Sequence, residues 1–151
     1  MEIKKSAQSL AIKHSTRDPF KIARELGMIV IFTPLTGIRG YYQYKARRHI
    51  IYINNELDEF MARFVCAHEL GHIFLHRNMN RIFMDSYTQF VTSRYERDAD
   101  RFAVEFLFDD DELQDYLGMS LVTVAERLRI NYELAEYRMS TVQPFFFHIT
   151  F

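Results

Sequence analysis

The sequence predicts an α+β fold: a small antiparallel or mixed three-stranded sheet packed on one long helix, with a C-terminal helical subdomain after it. Three observations carry this expectation. Apolar, β-branched runs at residues 28–32 and 49–53 flank a stretch punctuated by Pro34, Gly37 and Gly40, as strands and their connections do. Residues 56–76 place Leu57, Phe60, Met61, Phe64, Val65 and Leu75 at helical spacing. From residue 109 onward, short segments follow one another behind cap signals rather than β-type alternation.

With 151 residues, the chain is long enough for one domain with a real core, and no repeat or low-complexity segment divides it. A single domain over 1–151 is expected, with a core at 1–110 and a helical extension with an apolar tail at 111–151. The formal net charge of −1 gives no overall attraction to nucleic acid. The charge is uneven, with 10 Lys/Arg against 3 Asp/Glu in residues 1–50, which reads as scattered surface lysines. Cys66, the single cysteine, excludes an intramolecular disulfide and sits on an apolar helix as a small core residue. No secretory h-region and no apolar stretch of membrane-spanning length is found, so the expected location is the cytoplasm.

In chain order, Ile3, Ala7, Leu10, Ala11 and His14 recur at helical spacing and predict an amphipathic helix over 3–15. Asp18-Pro19 starts a second, short helix, with Asp18 as N-cap and Pro19 in the first helical position, and Gly27 stops it. Residues 28–32 read as a buried strand, 40–44 as a second strand, 45–48 as a polar hairpin turn and 49–53 as a third strand. An edge strand of such a sheet can take an extended peptide by main-chain pairing. After the long helix, residues 77–91 have no clear period, and a connection of that length is expected to border a cleft. A helix follows from about 92 to 107, striped by Ala99, Phe102, Ala103, Phe106 and Leu107. Asp109, Asp110 and Asp111 suit the positive N-terminal end of a short helix that Gly118 ends. Ser120 then caps 121–128, and 132–139 follows a turn at 129–131. The tail at 145–151 is apolar enough to be expected to pack back as a strand or wedge.

The chemistry centres on Ala67-His68-Glu69-Leu70-Gly71-His72. On a helix, His68 and His72 are one turn apart, about 6 Å of rise and roughly 40° of rotation, so both imidazoles can meet one metal ion. Glu69 projects beside them, where it can act as the base toward water activated by that metal. Chance places such a pattern in roughly 2% of chains of this composition, which favours a site over coincidence. A catalytic zinc takes three protein ligands and keeps one open position. His76 lies eight residues after His68, about 12 Å along the axis, too far to share the ion, and reads as a polar residue suited to the helix end. Glu96 opens the next helix with Asp100 one turn on. One carboxylate can ligate while the other accepts the free N–H of a ligating histidine. A local alternative is a capping box from Ser93 to Glu96, and Asp98, Asp100 or Asp85 are further ligand candidates.

The segment from Gly40 to His76, with Phe64-Val65-Cys66-Ala67-His68-Glu69-Leu70-Gly71-His72-Ile73-Phe74-Leu75-His76, resembles the ImmA/IrrE family of metallopeptidases. Glu96-Arg97-Asp98-Ala99-Asp100-Arg101-Phe102-Ala103 resembles that family's E-x-E-A-N-x-F-A segment. The resemblance spans roughly residues 20–140. It departs at Leu107-Phe108-Asp109, where the family has L-M-P, and at Asp100, where the family has Asn. It implies a minimal zincin-like core and a Zn²⁺ peptidase with His68, His72 and Glu96 as ligands, Glu69 as catalytic base and Asp100 behind a ligand. The implied substrate is a helix-turn-helix repressor of a phage or mobile element, cleaved to relieve repression. An alternative is a metal-binding regulator that antagonises the repressor without cutting it; the Glu69 base argues for the enzyme. Tyr95 and His148 are candidates for stabilising the oxyanion. Residues 120–139 have the length of a helix-turn-helix pair, but Glu133 and Glu136 against Arg138 alone would repel phosphates, so direct DNA binding is not expected.

Overall fold

The computed structural model describes residues 2–76 and 89–145, of which 89–92 by backbone alone. Two compact units, Met1–Leu107 and Phe108–Phe151, divide the chain.

The first unit opens with helix α1 (Ile3–His14) and helix α2 (Pro19–Glu25). Asp18 caps α2 by accepting the Phe20 N–H at 3.0 Å, and Gly27 ends it with φ +72°, a conformation open to glycine. Three strands follow, β1 (Ile29–Thr33), β2 (Gly40–Lys45) and β3 (Arg48–Asn54), in the order β1-β3-β2. β3 pairs parallel with β1 and antiparallel with β2, so the α+β expectation holds and the sheet is mixed. Between β2 and β3, Ala46 and Arg47 both have positive φ, as a two-residue turn matching the twist of a hairpin demands.

Strand β1 corrects one expectation. Its all-apolar run reads as buried, yet among the described residues it is an edge strand, with Ile29 and Ile31 each 37% and Phe32 52% exposed. An unbroken apolar run does not reveal how many faces are covered; here the core side of the sheet is anchored by β3, where Ile51 and Ile53 are fully buried.

Helix α3 (Glu59–Leu75) begins at Asp58, whose carboxylate accepts the Met61 N–H at 2.8 Å. Gly40 of β2 brings sheet and helix together. A Cβ there would stand 2.6 Å from both Val65 Cγ1 and the Tyr52 carbonyl oxygen, so only glycine admits this approach. Helix α4 (Gln89–Leu107) starts earlier than the sequence suggests, so Ser93 lies within it and the Ser93–Glu96 capping box does not form its N-terminus. It buries Ala99, Phe102, Ala103, Val104 and Phe106 against α3 and α1. Arg17 closes the far end by donating to the Phe106 carbonyl at 2.8 Å. Of the connection expected over 77–91, residues 77–88 lie outside the described residues and 89–91 belong to α4.

In the second unit, Asp109 caps the short helix α5 (Asp110–Leu113), Ser120 caps α6 (Leu121–Leu128) and Asn131 caps α7 (Tyr132–Thr141). Leu113, Val124, Leu128, Ala135 and Val142 form its core. Fully buried Arg138 donates to Asp110 Oδ1 and to the Phe108 carbonyl, each at 2.7 Å. The tail beyond residue 145 lies outside the described residues. Among the described residues, no helix is long and apolar enough to cross a membrane.

Candidate metal centre

The candidate site lies where α3 and α4 meet. Gly71 on α3 makes the meeting close: a Cβ there would stand 3.0 Å from Phe102 Cβ and 3.1 Å from the Cα and carbonyl oxygen of Ala99. That approach carries α4 near enough for its carboxylates to reach the histidines of α3.

Glu96 spans both imidazoles. Its Oε2 lies 3.1 Å from His68 Nε2 and its Oε1 lies 2.9 Å from His72 Nε2. One donor atom from each of His68, His72 and Glu96 falls within 4.8 Å of the others, and among the described residues this trio alone forms such a group. Two imidazoles and one carboxylate are a known ligand set for catalytic zinc. Ligand atoms about 2.1 Å from a tetrahedral ion are about 3.4 Å apart, and the two Glu96 contacts, at 3.1 and 2.9 Å, lie within about 0.5 Å of that spacing.

The remaining ring nitrogens are also engaged. Asp100, one turn after Glu96, has its Oδ1 2.7 Å from His68 Nδ1. His72 Nδ1 lies 3.2 Å from His76 Nδ1. The His72 ring is enclosed by Tyr42 of β2 at a centroid separation of 6.0 Å, by His68 at 4.8 Å and by His76 at 5.3 Å.

The electrostatics follow from these contacts. Burial alone would lower the pKa of His68, but its hydrogen bonds to Asp100 and Glu96 outweigh it and raise the value from 6.5 to about 10. Burial would raise Glu96, yet hydrogen bonds from both histidines hold it well below the usual carboxylate range. His76, desolvated and beside His72, is pushed down to about 4. Glu69 is buried on α3 at 5% exposure, close enough for its charge to act on His68. Cys66 is buried as a core residue, and burial followed by the charges of Asp18 and Glu69 pushes its thiol up, away from thiolate chemistry.

Of the residues singled out by sequence, His68, His72, Glu96 and Asp100 are thus brought together. Tyr95 stands edge-on to His76, ring centroids 4.5 Å apart. His148 and Asp85 lie outside the described residues. The contact that sequence reasoning missed is the one between His72 and His76. Its signal was available, because His76 follows His72 at the same four-residue spacing that separates His72 from His68.

The chain is similar to known proteins in sequence and in fold. The Peptidase_M78 family, described as the IrrE N-terminal-like domain, matches residues 23–140. Uncharacterized immunity region protein 2 of Bacillus phage phi105 is 39% identical over 115 residues, 76% of this chain and 73% of that protein. Metallopeptidase ImmA of Bacillus subtilis (strain 168) is 28% identical over 149 residues, 95% of this chain and 87% of that protein. A solved structure described as a Mycobacterium tuberculosis transcriptional regulator shares the fold, with a TM-score of 0.62 at 14% identity over 93% of this chain. This chain spans 47% of the length of that structure. The family match covers most of the chain, including both helices of the candidate centre, and the chain therefore belongs to the Peptidase_M78 family of metallopeptidases.

Proposed function

We propose that this chain is a zinc-dependent endopeptidase that cleaves a helix-turn-helix repressor of a phage or integrative element and so relieves repression. The observation that carries the catalytic part is the convergence of His68, His72 and Glu96 donor atoms beside the buried carboxylate of Glu69. The substrate class is supported by the relatives, one named for a phage immunity region and one named a metallopeptidase. On this reading the protein acts in the cytoplasm, where a repressor is found.

His68, His72 and Glu96 would hold the ion, leaving a fourth position for substrate and water. When bound, zinc supplies Lewis acidity, which lowers the pKa of a water molecule and polarises the scissile carbonyl. Glu69 would take the proton from the water that attacks the carbonyl carbon and pass it to the departing amine as the C–N bond breaks. Asp100 accepts the His68 Nδ1–H, which keeps Nε2 of that ring aimed at the site.

On this reading the substrate chain lies along an edge of the sheet. Among the described residues, strand β2 pairs with β3 along one edge only, and its Tyr42 rests on the ring of His72. An extended peptide added to the other edge of β2 would run beside the histidine helix. Strand β1 is the opposite sheet edge, and the metal-site contact at Tyr42 favours β2.

The test combines purified protein, Zn²⁺ and the repressor encoded beside the gene, with fragments read by mass spectrometry. Wild type should yield a discrete fragment pair. Glu69→Gln should bind zinc with wild-type affinity and lower cleavage by about 10³-fold or more, in keeping with loss of an essential proton-transfer group. Cleavage by Glu69→Gln at the wild-type rate, with zinc bound, refutes the mechanism.

A further inference from the structure

We propose that His76 is a positioning residue for the metal centre: its Nδ1 accepts the Nδ1–H of His72 and so keeps Nε2 of His72 directed at the ion. This rests on the metal-centre reading above. The Nε2 of His72 faces Glu96 Oε1 at 2.9 Å, which makes it the metal-facing nitrogen. A neutral imidazole ligating through Nε2 carries its proton on Nδ1. In His72 that atom lies 3.2 Å from His76 Nδ1, and both residues are buried, at 4% and 7% exposure. A buried N–H needs an acceptor, and the unprotonated Nδ1 of a neutral imidazole is one.

The surroundings hold His76 for this task. It is the C-cap of α3, and its backbone N–H bonds the His72 carbonyl at 3.0 Å, fixing it one turn beyond the ligand. Tyr95 of α4 stands edge-on to its ring at a centroid separation of 4.5 Å, which limits rotation of the imidazole. The two ligand histidines are therefore oriented by different chemistry. His68 is backed by the Asp100 carboxylate and His72 by a neutral ring. A second carboxylate behind His72 would add negative charge beside Glu69 and Glu96; an imidazole orients the ligand without it.

The experiment measures Zn²⁺ affinity by competition with a chromophoric chelator for wild type, His76→Phe and His76→Asn. The phenyl ring keeps the bulk and removes the acceptor, whereas the asparagine Oδ1 restores an acceptor near the position of Nδ1. His76→Phe should lose about 10- to 100-fold in affinity, as removal of a group behind a ligand does, and His76→Asn should recover most of it. In zinc-loaded wild type, ¹⁵N NMR of the side chains should show His76 protonated at Nε2, with a coupling across the hydrogen bond between the two Nδ1 atoms. A role confined to packing would lower the affinity of both variants alike and leave no such coupling. His76 carrying its proton on Nδ1 in the zinc-loaded protein overturns the assignment even where a variant fails to fold, as does unchanged affinity in folded His76→Phe. Wild type that binds no zinc refutes the metal centre itself, so the two failures are distinguishable.

Discussion

Gly71→Ala separates the stability of the fold from the quality of its metal centre. The added methyl would sit 3.0 Å from Phe102 Cβ and 3.1 Å from two backbone atoms of Ala99. None of these is the loose end of a flexible side chain, so the helices themselves must give. Reaching ordinary contact near 3.4 Å requires α3 and α4 to part by about 0.3–0.4 Å. Overpacking of this kind costs about 1–3 kcal/mol, while replacing glycine inside a helix returns roughly 0.5–1 kcal/mol. The net loss of stability is therefore about 0–2.5 kcal/mol. Metal ligation is less forgiving, since distances in a working site hold to roughly ±0.2 Å. Glu96 rides on α4 and the two histidines on α3, so the full displacement falls on the ligand set. We expect Zn²⁺ affinity to fall about 10-fold or more, measured by chelator competition. Urea denaturation of the metal-free protein should show the fold largely intact. Zinc affinity within twofold of wild type in a folded variant would show that the helix spacing does not set the ligand geometry.

Asp100→Asn removes the carboxylate that accepts from His68 Nδ1 at 2.7 Å, and should weaken Zn²⁺ binding about 10- to 100-fold in the same competition assay. Gly40→Ala meets a backbone oxygen and Val65 Cγ1 at 2.6 Å, a clash that should cost about 2 kcal/mol or more, read as a lower urea midpoint. Zinc must displace a proton from His68, whose pKa is raised from 6.5 to about 10, so affinity should rise about tenfold per pH unit between roughly pH 6.5 and 9 and level off above 10. Zinc titrations across that range, with proton release read by calorimetry in buffers of different ionisation enthalpy, check the slope; a flat profile contradicts it. For the metal-free protein, the raised pKa stabilises the fold fully below pH 6.5, and that contribution is lost as pH rises through 10.

Much of this arrangement was legible because it is local. The helical stripe of 56–76, the caps at Asp18 and Ser120 and the facing of His68 toward His72 all follow from one-turn geometry. Glu96 and Asp100 lie on a second helix, so spacing alone left several carboxylates open. The tertiary contact at Gly71 brings Glu96 to both Nε2 atoms and Asp100 to His68 Nδ1. The early start of α4 at Gln89 is not legible in the sequence, because Gln89, Phe90, Val91 and Thr92 carry no strong start signal. Nor is the exposure of β1, since an apolar run looks the same in a central strand as in an edge strand. The eight residues between His68 and His76 exclude a shared ion and say nothing of the ring contact His76 makes with His72.

Two glycines divide the work of assembling the site. Gly40 and Tyr42 sit two residues apart on β2, on the face that carries Ile51 and Ile53 toward α3. The first lets Val65 approach, and the second lays its ring on His72. This joint ties the β2 edge to the histidine helix. Gly71 makes the other joint, between that helix and the one bearing Glu96 and Asp100. Disturbing the first should shift the β2 edge, where we place the substrate, and raise KM more than it weakens zinc binding. Disturbing the second should weaken zinc binding and leave the β2 edge in place. Glu69 belongs to neither joint: it is on the shared helix α3, one residue from His68, and so keeps its position relative to the histidines when either neighbour moves. That placement suits the role we propose for Glu69, a base whose proton transfer stays aligned with the two histidines whichever neighbouring element shifts.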